Sequence, residues 1–356
     1  AIAEGIRNMS QLQMLDISRN IAPRNGSTLS VVFKYINEWD VLDRFRSQHG
    51  NILKADDSVI YALDIVSAIR ERRETLDLSN WGLEDNHMDM VASMLTMHKQ
   101  VGTLNLSGNN ITHDGFNRLA LSSHLCPRFI LLERNQISCA AAESVASSLE
   151  SCHGLEGLSL GFYGSFQVGI TVLASDECLI RKLKKLFIRL NDLSGEDFLL
   201  LSDTMQSLVM LEELYLSNNN IGADGAHPLK IALGCLSRLR VLDISGNCLA
   251  SAGMSIVLPK LQSMQRLREL YINGNVISSR EIAALLPLLR KLRVISAQDV
   301  GLGNEELSMI ISAIPKHSHI RELLFGANNI CYEGMICLCK NLENMPNLEV
   351  VEFGGS

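Results

Sequence analysis

The sequence predicts an α/β solenoid of about 12 to 13 strand-then-helix units, with a parallel sheet on the concave side and helices on the convex side. Three observations predict it. The block L-x-x-L-x-L-x-x-N occurs three times between Leu211 and Asn275, and each member lies 28 residues from its counterpart. At the centre of each block, apolar residues alternate with variable ones, the period-two signature of a short strand. The segment after the asparagine, NNIGADGAHPLKIALGCL, then sets Leu229, Ala232, Leu233 and Leu236 at spacings of three and four, the mark of a helix with one buried face. Parallel strands lie about 4.8 Å apart and helices about 8 to 10 Å, so stacking such units bends the row into a horseshoe.

With the first apolar residue of each block as position 1, units begin at Leu12, Arg73, Val101, Pro127, Leu155, Leu183, Leu211, Leu239, Leu267, Leu292, Ile320 and Leu348. Most steps are 28 residues, with one of 26 and one of 25. The step from Leu12 to Arg73 is 61, so a degenerate unit is expected within residues 21–72, with its strand near Trp39 to Phe45 and NIAPRNGSTLS as an irregular loop. The whole of 1–356 reads as one repeat domain. Ala1 to Asn8 reads as the tail of a helix and the chain stops just after a strand, so a segment of a longer protein is expected.

Asparagine fills position 9 at Asn20, Asn109, Asn135, Asn191, Asn219, Asn247, Asn275 and Asn328. An amide both donates and accepts, so it can satisfy the backbone of its own turn and the next, a structural role. At Trp81, Tyr163 and Val300 the asparagine is lost and the ladder should be interrupted, with GFYG at 161–164 the expected deviant loop. The glycines of DGA, SAGM and YEGM suit tight turns.

Composition narrows the function. A formal net charge of -7 argues against a general nucleic-acid binder, and no apolar run reaches the length of a membrane span. The nine cysteines are scattered without a C-x-x-C pair, which reads as reduced thiols in a cytoplasmic protein; N-x-S/T sequons such as those at Asn8, Asn25 and Asn110 point weakly the other way. There is no P-loop, H-E-x-x-H or G-x-G-x-x-G motif, so neither enzymatic activity nor a cofactor is expected. Met90, Met94, Met97, Met254 and Met264 read as core fillers, and Cys331, Cys337 and Cys339 lack metal-ligand spacing, so no metal is expected.

Function should then reside where the repeat leaves residues free, on the concave face. Position 5 carries Phe187, Tyr215, Asp243, Tyr271 and Leu324, an aromatic and apolar stripe suited to a protein partner, joined by Phe129, Leu131 and Phe162. Position 2 carries Arg128, Lys184, Arg240, Arg268, Arg293 and Arg321. The last four, in consecutive units, form either a track for an anion or acidic partner, or a rim balanced by Glu212, Glu213, Glu269 and Glu322.

Units such as LEELYLSNNNIGADG and IRELLFGANNICYEG resemble the ribonuclease-inhibitor-like class of leucine-rich repeats. In its irregular units and lack of capping modules the chain is most similar in style to the C-terminal domains of NOD-like receptors. That resemblance implies a non-enzymatic interaction scaffold, the ligand-sensing or autoinhibitory domain of an intracellular innate immune receptor, whose partner is a protein or another domain of the same chain. The same class also contains regulators of the Ran-activator and ribonuclease-inhibitor types, and a structural subunit of a large assembly is a third reading.

Overall fold

The computed structural model describes residues 14–16, 26–34, 44, 52–54, 57–71, 74–98, 101–119, 127–136, 149, 152–159, 182–189, 193–316 and 318–353. The chain divides into two compact units, Ala1–Tyr163 and Gly164–Ser356.

In the first unit β1 (Met14–Asp16) pairs in parallel with β2 (Ile52–Lys54). Four further strands follow, β3 (Thr75–Asp77), β4 (Thr103–Asn105), β5 (Phe129–Leu131) and β6 (Gly157–Ser159), each parallel to the next. Between them lie α1 (Gly26–Lys34), α2 (Asp57–Glu71), α3 (Met88–His98) and α4 (His113–Arg118). In the second unit seven strands run parallel in sequence order: β7 (Lys185–Phe187), β8 (Glu213–Tyr215), β9 (Val241–Asp243), β10 (Glu269–Tyr271), β11 (Val294–Ser296), β12 (Glu322–Leu324) and β13 (Val350–Glu352). They alternate with α5 (Gly195–Met205), α6 (Ala226–Cys235), α7 (Ala250–Ser263), α8 (Ser279–Leu285), α9 (Asn304–Ala313) and α10 (Tyr332–Asn341). The register never slips: Leu186, Leu214, Leu242, Leu270, Ile295 and Leu323 are aligned from strand to strand, and all six are fully buried. Each strand from β7 to β12 therefore packs its central side chain inward and turns its two outer residues to the sheet's free face.

Two expectations for the degenerate unit are corrected. Its strand is β2 at Ile52–Lys54, whereas Arg44 is helical; residues 39–43 and 45 lie outside the described residues. The stretch expected as a loop is helical from Gly26, which fits the three-and-four spacing of Leu29, Val32 and Phe33. The supposed helix at 1–8 and the 161–164 loop also lie outside the described residues.

The asparagine ladder is built as the chemistry requires. Asn219 Nδ2 donates to its own turn at Leu216 O (2.7 Å) and to the preceding repeat at Ile188 O (2.8 Å). Asn247 repeats this on Ile244 O and Leu216 O, and Asn275 on Ile272 O and Ile244 O. Such shared carbonyls receive two amide donors, one for each lone pair. Loss of an asparagine consequently does not break the ladder. Trp81 and Val300 are buried instead, and Leu78 O and Ala297 O keep one donor each, from Asn109 (3.0 Å) and Asn328 (2.8 Å). Val300 also lends its backbone carbonyl to Ile277 N at 3.1 Å, where Asn275 Oδ1 accepts from Leu249 N. Tyr163, Asn20 and Asn191 lie outside the described residues.

Position 8 has a backbone requirement that side-chain patterns conceal. Asn80, Gly108, Arg134, Asn218, Gly246, Gly274, Asp299 and Ala327 all have φ between 49° and 70°, the left-handed region. By contrast Gly225, Gly253 and Gly334, of the DGA, SAGM and YEGM stretches, have no positive φ; they permit close packing instead. A Cβ on Gly225 would meet Ile221 O at 2.7 Å, and one on Gly334 would meet Asn304 Oδ1 at 2.8 Å. Ala327 has neither glycine's freedom nor a polar side chain to offset the strain. Ala327→Gly is therefore expected to raise stability by about 1 kcal/mol, read as a higher denaturation midpoint; no shift or a lower one would refute a strained Ala327.

Candidate functional site

The sheet's free face in the second unit is formed by positions 3, 5 and 7 of successive repeats. Strand pairing aligns Phe187, Tyr215, Asp243, Tyr271, Ser296 and Leu324 in one column, so five of the expected stripe residues lie along adjacent or next-adjacent strands. Phe129 and Leu131 are half-buried on β5 in the first unit, with the Arg128 guanidinium 5.6 Å from the Phe129 ring centre. Phe162 lies outside the described residues.

The N-terminal part of the column is internally assembled. The Phe187 and Tyr215 rings stack with centroids 4.5 Å apart and planes 1° from parallel. Arg189, at position 7, lays its guanidinium over both rings, 4.4 Å from the Tyr215 centre and 5.4 Å from Phe187, and reaches Asp243 at 3.8 Å. Lys185 pairs with Glu213 at 2.8 Å. Arg189 stands at position 7, outside the position-2 and position-5 columns in which the sequence pattern places candidate contacts. An arginine at position 7, where later repeats carry Ser217, Ser245 and Asn273, was the available signal.

Each tyrosine donates to the glutamate two residues before it, Tyr215 to Glu213 (3.0 Å) and Tyr271 to Glu269 (3.2 Å). Both phenols are pushed well above their usual pKa, mainly by burial and then by the adjacent glutamate. Glu322 and Asp243 add to the effect at Tyr271. The hydroxyls therefore remain donors throughout the physiological range.

The position-2 column forms a rim beside this face. Its outer members are tied down, Arg240 to Glu212 and Arg321 to Glu349, each at 3.6 Å. Arg268 folds back onto the carbonyls of Gln265 (2.9 Å) and Leu267 (2.8 Å), while Arg293 is exposed. Arg128 pairs with Glu156 at 2.8 Å. Of the four glutamates expected to balance the rim, only Glu212 does so. Position-3 residues point to the free face rather than the rim, which takes Glu213, Glu269 and Glu322 away from the arginines. Exposed pairs of this kind contribute little to stability.

Met94, Met254 and Met264 are buried in the core. Among the described residues no group of three or more His, Cys, Asp and Glu is placed to hold a metal. Cys235, Cys248, Cys331, Cys337 and Cys339 are free thiols, but Cys152 is disulfide-bonded, which corrects the expectation of wholly reduced cysteines. Among the described residues no helix is long and apolar enough to cross a membrane.

A family model described as "Leucine Rich repeat" matches residues 207–230 and 237–255, which hold β8, the first half of α6, β9 and the start of α7. With the aligned strands and intervening helices, this defines the fold as a leucine-rich-repeat solenoid. Among solved structures, an internalin (inlF) from Listeria monocytogenes is 14% identical, covering 80% of this chain and 82% of that one at a TM-score of 0.42. A protein from Bacteroides fragilis is also 14% identical, covering 74% and 68% at a TM-score of 0.43. No curated protein matches the chain.

Proposed function

We propose that this chain is a non-enzymatic protein-interaction scaffold that engages a partner protein, or another domain of the same chain, through the free face of the sheet in residues 183–353. The observation that carries this reading is the aromatic column on that face. Phe187, Tyr215 and Tyr271 stand half-buried on strands held in register, where a core position would bury them and a plain solvent face would be polar. Tyrosines with few rotatable bonds, each fixed by a glutamate, offer contact area at small entropic cost.

The finer reading is a ligand-sensing or autoinhibitory domain of an innate immune receptor, with repeats of the ribonuclease-inhibitor-like style. It rests on the resemblance of units such as LEELYLSNNNIGADG. It requires a nucleotide-binding domain to compete for the same face, and a failure to compete would remove it.

The test of the face compares quantitative partner capture by the native chain, a Tyr215→Ala/Tyr271→Ala variant and a Leu200→Ser/Ile231→Ser variant. Leu200 and Ile231 are exposed on α5 and α6 and provide the helix-side control. The tyrosine variant is expected to lose at least about tenfold in affinity, since a central aromatic anchor contributes about 2 kcal/mol or more. Undiminished capture by the tyrosine variant, with loss confined to the helix-side variant, would overturn the assignment.

A further inference from the structure

The free face of the second unit is uneven in charge. Over β7 to β9, positions 3, 5 and 7 carry Lys185 and Arg189 against Glu213 and Asp243, and each cation has its carboxylate, at 2.8 Å and 3.8 Å. Over β10 to β13 the same positions carry Glu269, Glu322 and Glu352 and no lysine or arginine. The rim arginines do not compensate. Arg321 turns to Glu349 and Arg268 to main-chain carbonyls, and among the described residues no ion pair joins the rim to Glu269, Glu322 or Glu352.

The two tyrosines differ in one further respect. Tyr215 has a guanidinium on its ring because the preceding repeat places Arg189 at position 7. For Tyr271 the equivalent residue, 56 positions on from Arg189, is Ser245, which is too short to cover the ring. Its hydroxyl instead lies against the main chain, accepting from Asn273 N at 3.2 Å. The repeat has thus set a tyrosine with its glutamate at the same place twice: Tyr215 is stacked by Phe187 and covered by Arg189, while Tyr271 has Asp243 and Ser296 beside it on the neighbouring strands and, among the described residues, no arginine over its ring.

Resting on the interaction-scaffold reading above, we propose that the face over β10 to β13 docks a basic protein segment, with an arginine head on the Tyr271 ring in the space beside Ser245, held by Glu269 and Glu322. The chemistry is that of the Arg189, Tyr215 and Asp243 group, with the cation supplied by the partner. Arginine is favoured over lysine because a planar guanidinium can stack on the ring and bond a carboxylate at once. The Tyr271 phenol pKa is raised first by burial and then by Glu269, with Glu322 and Asp243 adding to it, which places these carboxylates close to the ring.

The test measures anisotropy of a fluorescein-labelled peptide of alternating glycine and arginine, beside glutamate and serine counterparts. The arginine peptide is expected to bind and the other two not. Tyr271→Ala and the pair Glu269→Gln/Glu322→Gln should each weaken it at least about tenfold, whereas Tyr271→Phe, which keeps the ring, should retain binding. Ser245→Arg should block the peptide by filling the seat from within, with circular dichroism confirming a folded chain. Glu305→Gln/Glu343→Gln alters two exposed carboxylates on the helix side and should change nothing.

Full binding to Ser245→Arg, or equal weakening by the helix-side pair, would overturn the proposal in favour of diffuse attraction. If the arginine peptide fails while partner capture still depends on Tyr215 and Tyr271, the scaffold reading stands and the basic partner falls. If capture is also indifferent to those tyrosines, both fall.

Discussion

Asn109→Ala is expected to lower stability by about 4 kcal/mol, more than twice the about 1.5 kcal/mol expected for Asn247→Ala, although both delete a buried position-9 amide. The difference lies in what each leaves behind. Asn109 Oδ1 accepts from Trp81 N (3.0 Å) and Leu83 N (2.9 Å), and its Nδ2 donates to Leu78 O (3.0 Å) and Leu106 O (2.7 Å). Because Trp81 stands where the preceding asparagine would be, Leu78 O has no second amide donor; removing Asn109 strands two donors and an acceptor together. Asn247 shares the three carbonyls its Nδ2 reaches, Leu216 O with Asn219, Ile244 O with Asn275 and Ser245 O with the Asn218 backbone amide, and its Oδ1 has no partner to lose. Urea unfolding of the two variants measures the gap. Equal losses would show that shared carbonyls confer no protection.

Trp81→Ala is expected to cost a similar amount, about 4 kcal/mol, for an unrelated reason. The indole is 1% exposed and is among the largest fully buried side chains described. Its removal leaves a cavity in the core that a short strand and turn cannot collapse to fill. Trp81→Asn, which restores the repeat's usual residue, should not rescue stability, because an amide replaces hydrogen bonds that Asn109 already supplies while leaving much of the void. A Trp81→Asn chain as stable as the native one would mean that packing at this site counts for little.

Much of the fold was legible because the repeat writes one structural solution many times. The leucines at positions 4 and 6 and the asparagine at position 9 fell where strands and turns occur, and alignment in register followed from constant spacing. What escaped notice lacked a repeated letter. Position 8 is left-handed in eight of the described repeats, yet glycine, asparagine, aspartate, arginine and alanine all occupy it, so a backbone constraint left no side-chain signature. Strand β2 is hard to read from the sequence because Leu53 alone keeps the pattern there, with Gly50, Ala55 and Ser58 at positions 1, 6 and 9.

The candidate site was half legible. Period alone aligned Tyr215, Asp243 and Tyr271, since residues 28 apart on parallel strands are neighbours. It could not show that Arg189 would cross two strands to reach Asp243, because a long side chain's path depends on its neighbours rather than on its position in the repeat. The glutamates were seen, but assigned to the rim. Their alternation onto the free face followed from strand geometry and could have been read from it.

The unbroken register limits how any partner can lie on the face. Equivalent side chains recur about every 4.8 Å across the strands, whereas an extended peptide presents one face about every 6.7 Å and a helix about every 5.4 Å. An extended partner laid along the column loses step by nearly 2 Å per contact and is out of phase within about two or three rows. Recognition on such a ruled surface must concentrate at a few rows or cross the strands obliquely. A row that breaks the rule, such as an open tyrosine after an occupied one, then acts as the index mark that sets where the partner begins.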